Sequence, residues 1–301
     1  MYQAFFGLDE NPFAITPDPR YLFPSARHAE ALAHLVYGVS EAGGFVQLTG
    51  EVGTGKTTLV RSLLARQWPD TDIALILNPT VTVSEFLLGI CEELGVEVVA
   101  EHQNSVKRLV DALTERLLAA NAADRRVALL IDEAHLLERD VLEQVRLLTN
   151  LETPTRKLLQ IILIGQPELR EMLARADFRQ VAQRITGRYH LDPLERAEVA
   201  AYVRHRLRVA GAKREIFTAG ALRTLHRLSG GYPRLINVIA DRALLGAFAR
   251  DRHEVTASLV RAAAAEVRGE TTVSRHWKWL AIFATLGVVV AGAAIVWITM
   301  L

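Results

Sequence analysis

Apolar residues recur along this chain at two spacings, and the places where the spacing changes divide it into elements. From Arg27 to Glu41 they fall on one face of a helix, which stops at Gly43 and Gly44. GFVQLTG, from Gly44, is apolar enough on both faces to predict a buried strand, and KTTLVRSLLARQ returns to helical spacing until Trp68 and Pro69. DIALIL (72–77) reads as a second strand, and Thr82 with Glu85 three residues on is a capping box that opens a helix ending near Gly95. A polar helix over about 104–122, the strand VALLI (127–131), a helix over about 138–150, the strand LLQIILIG (158–165) and short helices up to about 183 follow. RYHL (188–191) is a candidate fifth strand. Strands alternating with helices imply a mostly parallel sheet covered on both faces. Beyond Pro193 the strands vanish, and four helical patterns (195–211, 218–230, 233–249 and 256–269), separated by Gly, Pro or Thr, predict a small antiparallel bundle.

The last 22 residues, LAIFATLGVVVAGAAIVWITML (280–301), break both patterns, for they contain no charge and no polar stripe. At the helical rise they would span roughly 33 Å, enough for a hydrocarbon layer of about 30 Å. Trp277, Trp279 and Trp297 stand near the two ends, where interfacial indoles belong. Arg268, Arg275 and Lys278 precede the segment, so the positive-inside rule predicts a single-pass membrane anchor with the preceding residues in the cytosol. The predicted organisation is an α/β domain over 1–192, a helical domain over 193–268, a linker over 269–279 and a transmembrane helix over 280–301.

Composition refines this picture. Half of the 301 residues are apolar and 23% are charged, which excludes a disordered chain. Net charge is only +1, but residues 1–200 carry −8 and residues 201–278 carry +9. The basic part suits a surface facing phosphates or anionic lipid headgroups, or simply a solvated face. Cys91, the single cysteine, falls on the apolar face of a helical pattern and predicts a buried thiol. The nine histidines are scattered, so no His/Cys metal site is expected, and MYQAFFGLDENPF lacks the pattern of a cleaved signal peptide.

Two motifs carry chemistry. GEVGTGKT (Gly50, Glu51, Val52, Gly53, Thr54, Gly55, Lys56, Thr57), continued by Thr58, fits G-x-x-x-x-G-K-[ST] between a predicted strand and a predicted helix. Glycines there let backbone N–H groups converge on phosphate oxygens; Lys56 adds a point charge near the β and γ groups, and Thr57 a hydroxyl ligand for Mg2+. About 75 residues on, VALLIDEAH ends its strand in Asp132, a second candidate for the Mg2+ shell, and Glu133, a candidate to orient or deprotonate water. Gln166, after the fourth strand, is a candidate to sense the γ-phosphate or position water, with a polar turn residue as the alternative. Arg184, favoured over Arg188 in QRITGR, is a candidate finger toward a neighbouring subunit, or a salt-bridged surface arginine. In GGYPRLIN, Pro233 suits the first helical position, so Arg234 sits where the helix dipole disfavours a cation, and an anion should compensate: a nucleotide phosphate or a carboxylate.

This order of parts resembles a AAA+ ATPase. FFGLDENPFAITPDPRYLF, GEVGTGKTTL, LIDEAHLL, LLTNLET, KLLQIILIGQPEL, QRI and SGGYPRLIN together resemble the general secretion pathway protein A (ExeA-like) family, with its pilus-assembly relative MshM, over residues 1 to about 268. The resemblance implies a P-loop parallel-sheet domain with a helical lid. It further implies an ATPase using ATP and Mg2+, acting as a homo-oligomer such as a hexameric ring, that helps assemble an envelope secretion or pilus machine. Its implied partner is an inner-membrane protein of the ExeB/GspB type. ExeA-type proteins carry a periplasmic peptidoglycan-binding domain beyond the anchor; these 301 residues end with the predicted anchor, so direct peptidoglycan binding is not expected of them. His135 stands where the family often has Gln, outside the phosphate and metal roles. The alternatives are a nucleic-acid-associated AAA+ ATPase of transposition or initiator type, for which no base-reading module is visible, and a non-hydrolysing nucleotide-binding scaffold. By family order, the lead between Asn11 and Arg27 is placed at the adenine pocket.

Overall fold

The structure, a computed structural model, describes residues 1–40, 43–154 and 156–269. Five strands, β1 (Gly44–Thr49), β2 (Thr71–Ile76), β3 (Arg126–Ile131), β4 (Gln160–Gly165) and β5 (Ile185–His190), form one sheet in the order β2-β3-β4-β1-β5, with every pairing parallel. Parallel neighbours need crossovers, and helices supply them on both faces. The fifth strand begins at Ile185, three residues before the sequence predicted. It is an edge strand whose pattern is broken by exposed Thr186 and Arg188, so periodicity could not reveal its start.

Twelve helices accompany the sheet among the described residues. A short α1 (Gln3–Phe6) opens the chain, and α2 (Ala26–Ser40), α3 (Lys56–Leu64), α4 (Val83–Glu93), α5 (Val106–Ala122) and α6 (Arg139–Leu148) follow or separate the first strands. α7 (Glu168–Ala174) and α8 (Arg179–Ala182) bridge β4 and β5; α9 (Arg196–Val209), α10 (Ala219–Ser229), α11 (Pro233–Phe248) and α12 (Ala257–Val267) complete the chain. Period-two alternation sorts the strand residues between two cores. Leu129, Ile131, Ile161 and Leu163 face Phe86, Leu109 and Val145 of α4, α5 and α6. Ala128, Leu130, Ile162 and Ile164 face Leu35 of α2 and Leu59 of α3. The capping box at Thr82 and Glu85 is present, and Cys91 lies fully buried in α4, where desolvation pushes its thiol up to about 11.

A third core holds the helical layer: Val203, Leu225, Ile236, Ile239 and Val260 from α9 to α12. Tyr2, Phe6, Leu8 and Phe13 of the amino-terminal lead join this core rather than the sheet. Phe13 packs edge-on against Phe217 with ring centroids 6.0 Å apart, and Arg206 of α9 donates to the carbonyls of Pro12 (2.5 Å) and Ala14 (3.0 Å). The lead thus straps the helical layer before the chain enters the sheet. No helix among the described residues is long and apolar enough to cross a membrane; the predicted anchor at 280–301 and the linker from residue 270 lie outside the described residues.

Candidate nucleotide site

The sheet order brings the carboxyl ends of β1, β3 and β4 together, where a doubly covered parallel sheet opens a crevice. Thr49 is level with Gly165, Ile131 with Leu163, and the Gly50 N–H donates to the Gly165 carbonyl at 3.3 Å. Loops leaving these three strands therefore start at one height, and each contributes to the same cleft. It encloses about 350 Å3, within the range of small-molecule sites, between the phosphate loop, the lead and the helical layer.

The loop 50–55 turns β1 into α3 through two left-handed glycines, Gly53 (φ +83°) and Gly55 (φ +109°). A Cβ on Gly53 would stand 2.7 Å from the Cβ of Arg234, so the helical layer approaches the loop as closely as glycine allows. Gly50 and Thr54 are buried under the turn, where the Thr54 hydroxyl donates to the Glu51 carbonyl (2.9 Å). Glu51 and Val52 are exposed on its rim, and Thr57 and Thr58 face the cleft from α3. Lys56 is only 7% exposed, and its Nζ donates to the Gly50 (2.6 Å) and Glu51 (3.1 Å) carbonyls. Burial lowers its pKa; the carboxylates of Glu133 and Asp132 oppose that shift.

Opposite the lysine, the Thr57 hydroxyl lies 3.5 Å from Asp132 Oδ2. Asp132 is buried, which raises its carboxyl pKa against the opposing influence of the Glu133 N–H, donated to Oδ1 at 2.9 Å. Glu133 holds a left-handed backbone (φ 50°, ψ 35°), a conformation costing a non-glycine residue about 1 kcal/mol or more. Its Oε2 is buried with no hydrogen-bond partner; His135 Nδ1 is 3.4 Å away. The two oxygens of Thr57 and Asp132 are the hard, sparse donor set that Mg2+ takes, so the residues present fit that ion. The described residues contain no cluster of three or more His, Cys, Asp or Glu side chains able to hold a metal.

Gln166 lines the cleft beyond β4, and its N–H lies 3.5 Å from His135 Nδ1. His135, to which the sequence assigned no role, therefore stands between Gln166 and Glu133. Arg234 occupies the second position of α11 behind Pro233, lines the cleft, and donates its backbone N–H to the Gly53 carbonyl at 3.1 Å. Among the described residues no carboxylate lies within ion-pair distance of its guanidinium, so of the two compensating anions the sequence allowed, the protein carboxylate is not present. Arg184 is not brought into this cleft. It precedes β5, at the amino ends of the strands, and its Nη1 donates to the Thr149 hydroxyl (2.6 Å) and the Arg146 carbonyl (3.4 Å) at the end of α6. Arg188 is exposed and donates to the Ala182 carbonyl.

Two features were out of reach of sequence reasoning because their partners are remote in the chain. His28 is buried beneath Gly55, with Nε2 3.1 Å from the Thr54 carbonyl and Nδ1 2.8 Å from the Ser25 hydroxyl. A carbonyl only accepts, so Nε2 carries the proton and Nδ1 accepts; burial lowers the pKa and keeps the ring neutral. Arg206 is 6% exposed at the cleft wall, held by carbonyls and stacked over Tyr21, with its guanidinium carbon 4.5 Å from the ring centroid. Ile15, Pro17 and Tyr21 of the lead close the cleft.

Residues 39–173 match the family described as AAA domain. The chain is 56% identical over 269 residues to general secretion pathway protein A of Aeromonas hydrophila, covering 89% of this chain and 49% of that protein, so it spans about half the relative's length. Among solved structures it is similar to Cdc6p from Pyrobaculum aerophilum (TM-score 0.68, 18% identity, covering 86% of this chain and 71% of the other). It is also similar to a chain of Drosophila ORC bound to DNA (TM-score 0.64, 21% identity, covering 85% and 64%). At such identities these structures speak to the fold alone. The chain is a homologue of general secretion pathway protein A that carries an AAA domain, built on the α/β P-loop AAA+ fold with a five-stranded parallel sheet and a helical lid.

Proposed function

We propose that this protein is an Mg2+-dependent ATPase that works as a homo-oligomer on the cytosolic side of the inner membrane, held there by residues 280–301. Its nucleotide cycle moves the helical lid and so drives assembly or remodelling of an envelope secretion or pilus machine, with an inner-membrane partner of the ExeB/GspB type. The family resemblance supports the setting and the partner; the uncharged run at 280–301 supports the anchor. The observation that carries the chemistry is the meeting of Lys56, Thr57, Asp132 and Glu133 in one cleft under Arg234.

In this reading the N–H groups of the glycine loop and the α3 terminus bind the phosphates, and the buried Lys56 ammonium neutralises the β and γ oxygens. Thr57 and Asp132 would hold Mg2+, which when bound supplies further positive charge to the same oxygens. The unpartnered Glu133 Oε2 accepts a proton from water as the water oxygen forms its bond to the γ-phosphorus and the bond to the ADP oxygen breaks. Gln166 orients that water, and Arg234 carries the γ-phosphate's presence into α11 and the lid. Arg184 acts on a neighbouring copy, which requires its guanidinium to exchange the Thr149 hydroxyl for phosphate.

The test is ATP turnover and binding by the whole chain in nanodiscs. Wild type hydrolyses ATP; Lys56→Ala loses binding and turnover; Glu133→Gln keeps binding while turnover falls by about 10²-fold or more, the scale of a lost general base. Wild-type protein that binds ATP without turning it over would remove the mechanism.

A further inference from the structure

The lid carries the chain's excess of basic residues, and the fold sorts part of it onto one face. α10 and α12 run side by side in the same direction. Gly220 at the start of α10 faces Ala257 at the start of α12, and Arg268, just past α12, donates to the Leu228 carbonyl near the end of α10 at 3.1 Å. α10 buries Ala221, Leu222 and Leu225, which leaves Arg223 and Arg227, four apart, exposed on its outer side. α12 buries Leu259, Val260, Ala263 and Ala264, and leaves Arg261 and, just past its end, Arg268, seven apart, exposed on the flank next to α10. Glu266 lies on the other flank, paired at 3.6 Å with Arg242 of α11, and the exposed Asp251 and Glu254 stand before α12 begins. None of the four arginines has a described carboxylate within 4.0 Å, so a stripe of like charge is left without an internal counter-ion.

Where this stripe ends decides what it faces. The described chain stops at Gly269, and residues 270–279, which add Arg275 and Lys278, lead to the uncharged run. Ten residues reach at most about 35 Å, so a protein anchored by 280–301 keeps this end of the lid close to the bilayer. Val267, on the last turn of α12, also lines a hollow with Val52 and Arg234, so whatever this helix rests on is felt beside the phosphate loop.

We propose that the arginine face of α10 and α12 lies on the anionic phospholipid headgroups of the inner leaflet and sets the orientation of the lid above the membrane. This rests on the reading of residues 280–301 as an anchor. Each arginine at an anionic surface strengthens docking roughly fivefold, and exposed charges make the contact sensitive to salt.

The experiment uses the full chain labelled at Ser258→Cys, an exposed α12 position, since Cys91 is buried. The protein is reconstituted into vesicles of phosphatidylcholine alone or with about 30% phosphatidylglycerol, and energy transfer from the label to acceptor-tagged headgroup lipid is read. Transfer is expected to rise in the anionic vesicles. The rise should vanish in about 0.5 M salt and in the R223E/R227E/R261E/R268E variant, and persist in the corresponding all-lysine variant, which controls for folding. Equal transfer in both compositions from carbonate-resistant protein overturns the docking face and leaves the anchor standing. Protein that washes out in carbonate overturns the anchor and the docking face with it. Absence of the lipid effect together with salt-sensitive binding of duplex DNA, lost in the glutamate variant, assigns the stripe to nucleic acid and also overturns the proposal.

Discussion

Asp132 illustrates a residue whose ionisation opposes the fold around it. Burial raises its carboxyl pKa above the unfolded value, so above that range the charged form disfavours the folded state and protonation relieves it. An isosteric Asp132→Asn change keeps an acceptor for the Glu133 N–H, turns an amide donor toward the Thr57 hydroxyl oxygen, and removes the buried charge. The variant is expected to melt at the same temperature as wild type or higher near pH 7 without nucleotide, yet to lose the Mg2+-dependent part of ATP affinity. Thermal unfolding with and without Mg-ATP measures both, and a lower apo melting temperature with intact Mg2+ dependence would contradict the assignment. The motif residues themselves were readable because their chemistry is local: eight consecutive residues both turn the backbone and supply Lys56 and Thr57. His28, His135 and Arg206 were not, for what defines them is a contact with a carbonyl, an N–H or a ring brought in from elsewhere.

Among the elements, β2 and the turn between α5 and β3 are tied by one carboxylate. Asp72 accepts from Arg116 at 2.6 Å and from Arg125, and the Arg125 hydrogen bond is the larger of the two influences holding its pKa below the ordinary carboxylate range. A carboxyl with a depressed folded-state pKa stabilises the fold above its unfolded value of about 3.9, and that contribution is lost as pH falls through the lower folded value. Asp72→Asn should therefore lower the melting temperature near pH 7 by about 2 °C, as expected for a partly exposed bidentate pair, with the difference from wild type closing below about pH 4. Melting curves across pH check it; a constant difference down to pH 2 would mean the side chain acts by packing instead. Element types followed from periodicity throughout the sheet, whose strands are buried on one or both faces and flanked by amphipathic helices. The start of β5 did not, because an edge strand with alternating exposure and a register shift opposite Phe45 and Val46 leaves no clean pattern.

At the scale of the molecule, the lead makes the lid depend on residues that precede the sheet. Phe13 is 2% exposed and packs on Phe217, so Phe13→Ala removes about 3–5 kcal/mol from the helical layer. Because Arg206 also reaches the lead and lines the cleft, ATP affinity should fall although every phosphate-loop residue is intact. Hydrogen exchange is expected to quicken in α9 to α12 before it does in β1, β3 and β4, with Phe13→Leu restoring most of the protection. Uniform acceleration across sheet and lid would show that the lead does not serve the lid in particular.

The amino-acid order alone was enough for the alternation of strands and helices, the change to an all-helical layer after Pro193, the phosphate loop and the paired acids. Each of these depends on neighbours within one or two turns of chain. Folding in three dimensions settled which strands adjoin, and so which loops meet: Thr57 and Asp132 are 75 residues apart along the chain and 3.5 Å apart in space. It likewise carried Phe13 to the lid, put Arg234 over Gly53 without a carboxylate, and turned Arg184 toward α6. Such placements depend on which apolar surfaces find each other, and a linear pattern records that a face is apolar without recording what will cover it.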